Sequence, residues 1–239
     1  MRSGINTFLS FPVFAILYCY TAAGVILVFM LTLFRAKRAV QYLTMIWARS
    51  VFVIMGKLMT VKGKENIDKN NRYILVANHA SLFDIVAITS FYPQVAWFGH
   101  ERLLKVPVFG SFLKLTGYIP FREPTIRNTR HMLEQLIDKS THQSVALFPE
   151  GTRTLNGKIN PFFRGFIYLM RTGNTDILPI TLNGFYDLKP KNRFCIDFGS
   201  KPEVIIHKPV PGKELVDKTD DEIISRIRGI IESAYNGNH

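Results

Sequence analysis

Acidic residues are missing from the first quarter of this sequence: residues 1–64 hold eight Lys or Arg and no Asp or Glu, and Glu65 is the first acid. A segment of one sign is drawn to nucleic acid or to an anionic membrane surface. Here the basic residues flank long apolar runs instead of lining a polar stripe, so lipid is the expected partner and nucleic acid is not. Cysteine is nearly absent as well. The 239-residue chain has two, Cys19 and Cys195, which excludes a disulfide framework, gives no metal-ligand spacing and leaves reduced thiols as the expectation. No fixed-period repeat or low-complexity tract occurs. Nor does a Ser or Cys nucleophile elbow, so a hydrolase reading lacks its nucleophile.

What is present divides in two. No charged residue lies between Arg2 and Arg35, and Pro12 suits the first turn of a helix. A helix from Pro12 to Phe34 spans about 34 Å, enough to cross a hydrocarbon core. The run is too long for the apolar region of a signal peptide and has no small-residue cleavage site before the basic cluster. Arg35, Lys37 and Arg38 follow it, so the positive-inside tendency puts the downstream chain on the cytoplasmic side of the membrane. Ala39–Thr60, interrupted by Arg49 and Lys57, reads as an interfacial helix with Tyr42 and Trp47 at headgroup level. Crossing, or insertion of both helices into one leaflet, are both compatible with the pattern. We therefore divide the chain into an N-terminal membrane-anchoring segment, 1–64, and a catalytic domain, 65–239.

In that domain short apolar runs alternate with amphipathic stretches: YILVA, LFDIVAIT, VAWFG, SVALF, FFRGFIYLMR, DILPITL, FCIDFG, EVIIH. The rhythm predicts an α/β fold, a mostly parallel or mixed twisted sheet flanked by helices. Thr219 and Glu222 have capping-box spacing ahead of an isoleucine stripe, which predicts a docked C-terminal helix.

Two turns carry the chemistry. If YILVA is a strand and Ser81 opens the next helix, His79 sits at the strand's carboxyl end, where open α/β sheets hold their ligands. Asp84 then lies within reach. Alone it reads as a helix-capping acid and His79 as a surface imidazole. Together they form a base: a carboxylate on one ring nitrogen leaves the other free to accept a proton. With no Ser or Cys nucleophile beside them, the group they activate is a hydroxyl of the substrate. The second stretch, SVALFPEGTR, ends another buried strand in a turn bearing Glu150, Gly151, Thr152 and Arg153. Read alone it is turn chemistry plus a surface ion pair; read with its companion it is an anion site, since Arg makes bidentate contacts to phosphate.

NHASLFD (78–84) and FPEGTR (148–153) resemble the two signature motifs of the glycerolipid acyltransferase family. VPVFG (106–110), Gly117, IPFR ending at Arg122, FFRG (162–165) and ILPITL (177–182) extend the likeness, strongest over residues 73–182. The resemblance implies a glycerolipid acyltransferase-like fold with a membrane-embedded helical motif. It also implies acyl transfer from a thioester of acyl-carrier protein or CoA to lysophosphatidate, without metal. His79 and Asp84 would be catalytic, while Glu150, Gly151, Thr152, Arg153 and Arg122 would bind substrate. His100 stands where family members often carry a phosphate-binding Lys. That departure keeps open a different lysolipid acceptor, and a non-catalytic membrane module of the same fold is the remaining alternative. His131, His142 and His207 lie outside any motif and read as surface or satisfied residues.

Overall fold

The computed structural model describes residues 2–115, 118–121, 138 and 142–237. Its centre is a seven-stranded sheet in the order β1-β7-β6-β2-β5-β3-β4. The strands are β1 (Thr60–Lys62), β2 (Tyr73–Ala77), β3 (Ala96–His100), β4 (Ile119–Phe121), β5 (Val145–Leu147), β6 (Asp176–Asn183) and β7 (Glu203–Ile206). All neighbours run parallel except β6 and β7, so the predicted mixed α/β sheet is what forms.

β2 illustrates why an unbroken apolar run becomes a central strand. Tyr73, Leu75 and Ala77 pack into one core layer. Ile74 and Val76 face the other, as the period of two requires when both sheet faces are covered. The first layer lies under helices α1 (Arg2–Leu33), α2 (Lys37–Ile54) and α3 (Phe83–Thr89); helix α4 (Phe109–Leu115) packs beside α1. The second lies under α5 (Gly165–Gly173) and α7 (Asp220–Ser233), the short helix α6 (Phe185–Leu188) following β6. Helix α7 begins with the predicted reciprocal cap between Thr219 and Glu222 and buries Ile223, Ile227 and Ile231.

Three local expectations need correction. Helix α1 starts at Arg2, with Pro12 inside it, not at Pro12; a proline removes one helical hydrogen bond, and the remainder of so long an apolar helix carries through. Trp47 is not an interfacial ring. Thr44, Trp47, Ala48, Val51 and Phe52 form the buried face of α2 at helical spacing, and the Trp47 indole N–H donates to Thr21 Oγ at 3.2 Å. Tyr42 is exposed. Finally, FCIDFG forms no strand, because helix α1 takes its backbone donor: Ile196 N–H bonds to the buried Ser10 Oγ at 2.8 Å. Asn6 reaches Asp197, and the rings of Phe11 and Phe14 lie 5.3 and 5.2 Å from Phe194.

These contacts define a helical hairpin. A left-handed residue, Arg35 (φ 52°), turns α1 into α2; the amino end of α1 is held by residues 194–197, and α2 leads directly into β1. Because β1 pairs with β7, a division after residue 64 falls behind the first strand of the sheet. Phe8, Ile26, Phe29 and Leu33 on α1 stay exposed. Among the described residues, α1 is the one helix long and apolar enough to cross a membrane.

Candidate active site

β2 and β5 are parallel neighbours, with Ile74 opposite Val145 and Val76 opposite Leu147. Their carboxyl ends therefore leave the same edge of the sheet, and turns separated by some seventy residues in sequence meet there.

The first turn converges on one carboxylate oxygen. Asp84 Oδ2 accepts from Ala80 N–H at 2.7 Å and Ser81 N–H at 2.8 Å, and lies 2.8 Å from His79 Nδ1. One atom thus orients the imidazole and ties down the two backbone N–H groups that follow it, whereas helix α3 begins after Leu82 with no side-chain cap. Asp84 is fully buried, and such an acceptor fixes the proton of His79 on Nδ1, so that the Nε2 lone pair is the basic one. Among the described residues the other oxygen, Oδ1, has no hydrogen-bond partner. Ser81 is not placed as a nucleophile, because its hydroxyl donates to the Lys189 carbonyl at 2.8 Å.

The second turn grips the backbone of the first. Glu150 Oε1 accepts from His79 N–H at 2.6 Å and Oε2 from Asn160 N–H at 2.8 Å. The His79 carbonyl accepts from Thr154 N–H at 2.8 Å. Both polar groups of the His79 peptide are therefore held by residues beyond β5. Glu150 is 2% exposed, and burial pushes its carboxyl up to about 7 against the opposing pull of its two backbone donors. With both oxygens engaged in this way, Glu150 acts as a clamp on the histidine peptide.

Gly151 makes the turn possible with φ +66°, a conformation that costs other L-residues about 1–2 kcal/mol. Arg153 is half-buried, and burial lowers its pKa while Asp84 supports the charge. Thr152 is exposed and accepts a hydrogen bond from Lys191 Nζ. Arg122 lies outside the described residues, as do Gly117 and His131. The backbone of His100 ends β3 opposite Phe121, and its side chain is likewise outside what is described. His207 bonds Thr181 Oγ at 2.8 Å, and burial lowers its pKa; His142 is exposed.

Sequence reasoning missed the supports around the pair. Phe148 stacks flat on the His79 ring, with centroids 3.9 Å apart and planes 7° apart, and Trp97 stacks on Phe148 in turn. Asn78 splices β2 to β6: its side-chain amide donates to the Leu182 carbonyl and accepts from Leu182 N–H. Both residues stand inside the motifs already singled out, and that adjacency was the available signal. Among the described residues no group of three or more His, Cys, Asp or Glu converges as a metal shell requires.

An α/β sheet whose strand ends present an oriented imidazole beside an arginine-bearing turn defines a class of site, one that can take a proton from a hydroxyl next to an anion. The comparisons sharpen that class. Residues 58–183 match the family model described as Acyltransferase, and the chain belongs to that family. It is 30% identical over 221 residues to the 1-acyl-sn-glycerol-3-phosphate acyltransferase of Saccharomyces cerevisiae, covering 86% of this chain and 69% of that one. To the chloroplastic 1-acyl-sn-glycerol-3-phosphate acyltransferase BAT2 of Brassica napus it is 28% identical over 78% of this chain and 54% of the relative. The chain thus spans about half the length of its chloroplast relatives. The crystal structure of the 1-acyl-sn-glycerophosphate (LPA) acyltransferase, PlsC, from Thermotoga maritima superposes with a TM-score of 0.85 at 26% identity, covering 98% of this chain and 95% of that one.

Proposed function

We propose that this chain transfers a fatty acyl group from an acyl thioester, of acyl-carrier protein or CoA, to the free sn-2 hydroxyl of 1-acylglycerol 3-phosphate, giving phosphatidic acid for phospholipid biosynthesis. The observation that carries the reading is the 2.8 Å contact between His79 Nδ1 and a buried carboxylate oxygen, at the sheet edge that also bears Arg153. His79 Nε2 takes the proton of the acceptor hydroxyl as its oxygen attacks the thioester carbonyl. A C–O bond forms, the tetrahedral intermediate collapses with loss of the C–S bond, and the imidazolium returns its proton to the leaving thiolate. The N–H groups of residues 79–81 already serve Glu150 and Asp84. We assign the oxyanion to the backbone N–H groups of Thr152 and Arg153 in the adjoining turn, which donate to no described residue. Such preorganised donors stabilise charge as it develops.

Attachment to the membrane belongs to the same proposal, because acceptor and product partition into lipid at about 0.8 kcal/mol per CH₂. Residues 1–64 carry the anchoring hairpin and end in β1, which joins the sheet of the catalytic domain, on the cytoplasmic face of the inner membrane. If α1 crossed the bilayer, Asn6 and Ser10 would lie across it from Asp197 and Ile196, their hydrogen-bond partners. Insertion of the hairpin into one leaflet keeps those bonds.

The test is a panel of lysolipid acceptors offered with both acyl-carrier-protein and CoA thioesters to the full-length protein in vesicles. Lysophosphatidate is expected to give the highest kcat/KM. A different acceptor ranking well above it would defeat the choice of substrate, and no transfer to any acceptor would defeat the enzymatic reading.

A further inference from the structure

The segment from Lys189 to Arg193 carries three cations, Lys189, Lys191 and Arg193, outside both motif turns. Two hydrogen bonds attach it to those turns. Ser81 Oγ, two residues from His79, donates to the Lys189 carbonyl at 2.8 Å, and Lys191 Nζ donates to Thr152 Oγ at 3.0 Å, next to Arg153. The segment therefore bridges the base and the anion-binding turn.

The three cations are not equivalent. Arg193 is committed to the fold, since its guanidinium donates to the carbonyls of Asp187, Leu188 and Cys195 and so closes the carboxyl end of α6. Lys189 Nζ donates to the Arg193 carbonyl at 3.1 Å, which leaves two of an ammonium's three donors. The Lys191 bond is to a neutral hydroxyl. Among the described residues no carboxylate forms a salt bridge with Arg153, Lys189 or Lys191. Burial, with Arg153 and Arg193 nearby, lowers the pKa of Lys189. Asp84 supports the Arg153 charge without forming a salt bridge to it, and like charges gathered without a salt-bridged acid repel one another, a cost that an anion seated among them removes.

We propose that Lys189 and Lys191 complete, with Arg153, the cradle for the acceptor's phosphate monoester, and that the two lysines set the enzyme's preference for a phosphorylated acceptor. This rests on the reading under Proposed function. Chemistry favours the acceptor's phosphate over the donor's. Only one carbon and one ester oxygen separate the sn-2 carbon of lysophosphatidate from phosphorus, so its phosphate must lie close to the group that deprotonates the sn-2 hydroxyl. The phosphates of a CoA or carrier-protein thioester lie at the far end of the pantetheine arm. A cradle tethered through Ser81 has the short reach that the acceptor needs.

The test uses Lys191→Ala, Lys189→Met and the double variant in the full-length protein, with KM measured separately for lysophosphatidate and for the acyl thioester. The Ser81 bond is to main chain and survives both substitutions. Each single variant is expected to raise the acceptor KM about tenfold, with kcat and donor KM within about twofold. Lys191→Arg should restore most of the loss, and the exposed, remote Lys213→Ala should match wild type. With 1-monoacylglycerol, which lacks phosphate, the double variant and wild type should perform alike. An unchanged acceptor KM in a folded double variant, or a raised donor KM, overturns the inference while wild-type transfer leaves the reading beneath it intact. A wild-type chain that acylates no lysophosphatidate removes both.

Discussion

The turn after β2 and the turn after β5 leave the same sheet edge, yet their polar groups are disposed in opposite ways. In the first, three consecutive backbone N–H groups and one imidazole nitrogen all meet carboxylate oxygens of Asp84 or Glu150. In the second, Thr152 and Arg153 keep N–H groups that no described residue accepts, and the turn bends through a left-handed glycine. One tautomer and one ring direction are what the proposed base role of His79 requires, and the donors of the first turn are accordingly all met. A site for an incoming anion needs donors held in place and left unmet. The contrast teaches that rigidity and readiness are separated between the turns, and that Glu150 joins them: it stands in the second turn and binds the backbone of the first.

The sharpest way to break the contrast is at the base. His79→Ala should lower kcat about a thousandfold, within the range of general-base catalysis, with little change in acceptor KM. Single-turnover assays in vesicles check this, and a variant with undiminished acyl transfer would remove His79 as the base.

The joint between the turns comes next. Glu150→Gln replaces one acceptor by an amide N–H facing Asn160 N–H, so the clamp is lost on that side and a loss of stability of roughly 1–3 kcal/mol follows. The pH dependence sharpens the point. Because its folded carboxyl sits near 7, above an ordinary 4.5, the native state holds the extra proton between those values. Stability from this group is therefore present below about pH 4.5 and declines as pH rises through about 7, by about 3 kcal/mol in all. Denaturant titrations across that window should show the decline in wild type and a flatter profile in Glu150→Gln. Parallel profiles would mean that Glu150 is not the titrating group.

The smallest expected effect lies in the second turn's backbone. Gly151→Ala should cost about 1–2 kcal/mol from the positive φ, and the new Cβ would also meet the Phe163 ring at 3.1 Å. Gly151→Asn, which tolerates that conformation better, should recover part of the loss. Equal denaturation midpoints for wild type and Gly151→Ala would show that the turn relaxes without strain.

Much of this was legible in the chain. Alternating apolar runs announced an α/β sheet, and the YILVA and SVALF runs announced its central strands, because a strand buried on both faces must be apolar throughout. The capping box of α7 was readable for the same local reason: Thr219 and Glu222 satisfy donors within one turn. Trp47 was misread although its spacing with Thr44, Ala48, Val51 and Phe52 is helical, since a local pattern shows that one face is buried and not whether lipid or protein buries it. FCIDFG was misread because its fate depends on Ser10, far away in the sequence.

Residue order alone thus determined the local matters: where strands and caps form, which face of each helix is apolar, and which two short stretches carry the His79–Asp84 pair and Arg153. Those follow from backbone stereochemistry and the periodicity of side chains. Only the tertiary structure decided that β5 inserts beside β2, that Glu150 closes on the His79 peptide, and that Lys191, beyond β6, reaches the Thr152 hydroxyl. Such pairings are set by packing and hydrogen bonding between segments distant along the chain, and no periodicity records them.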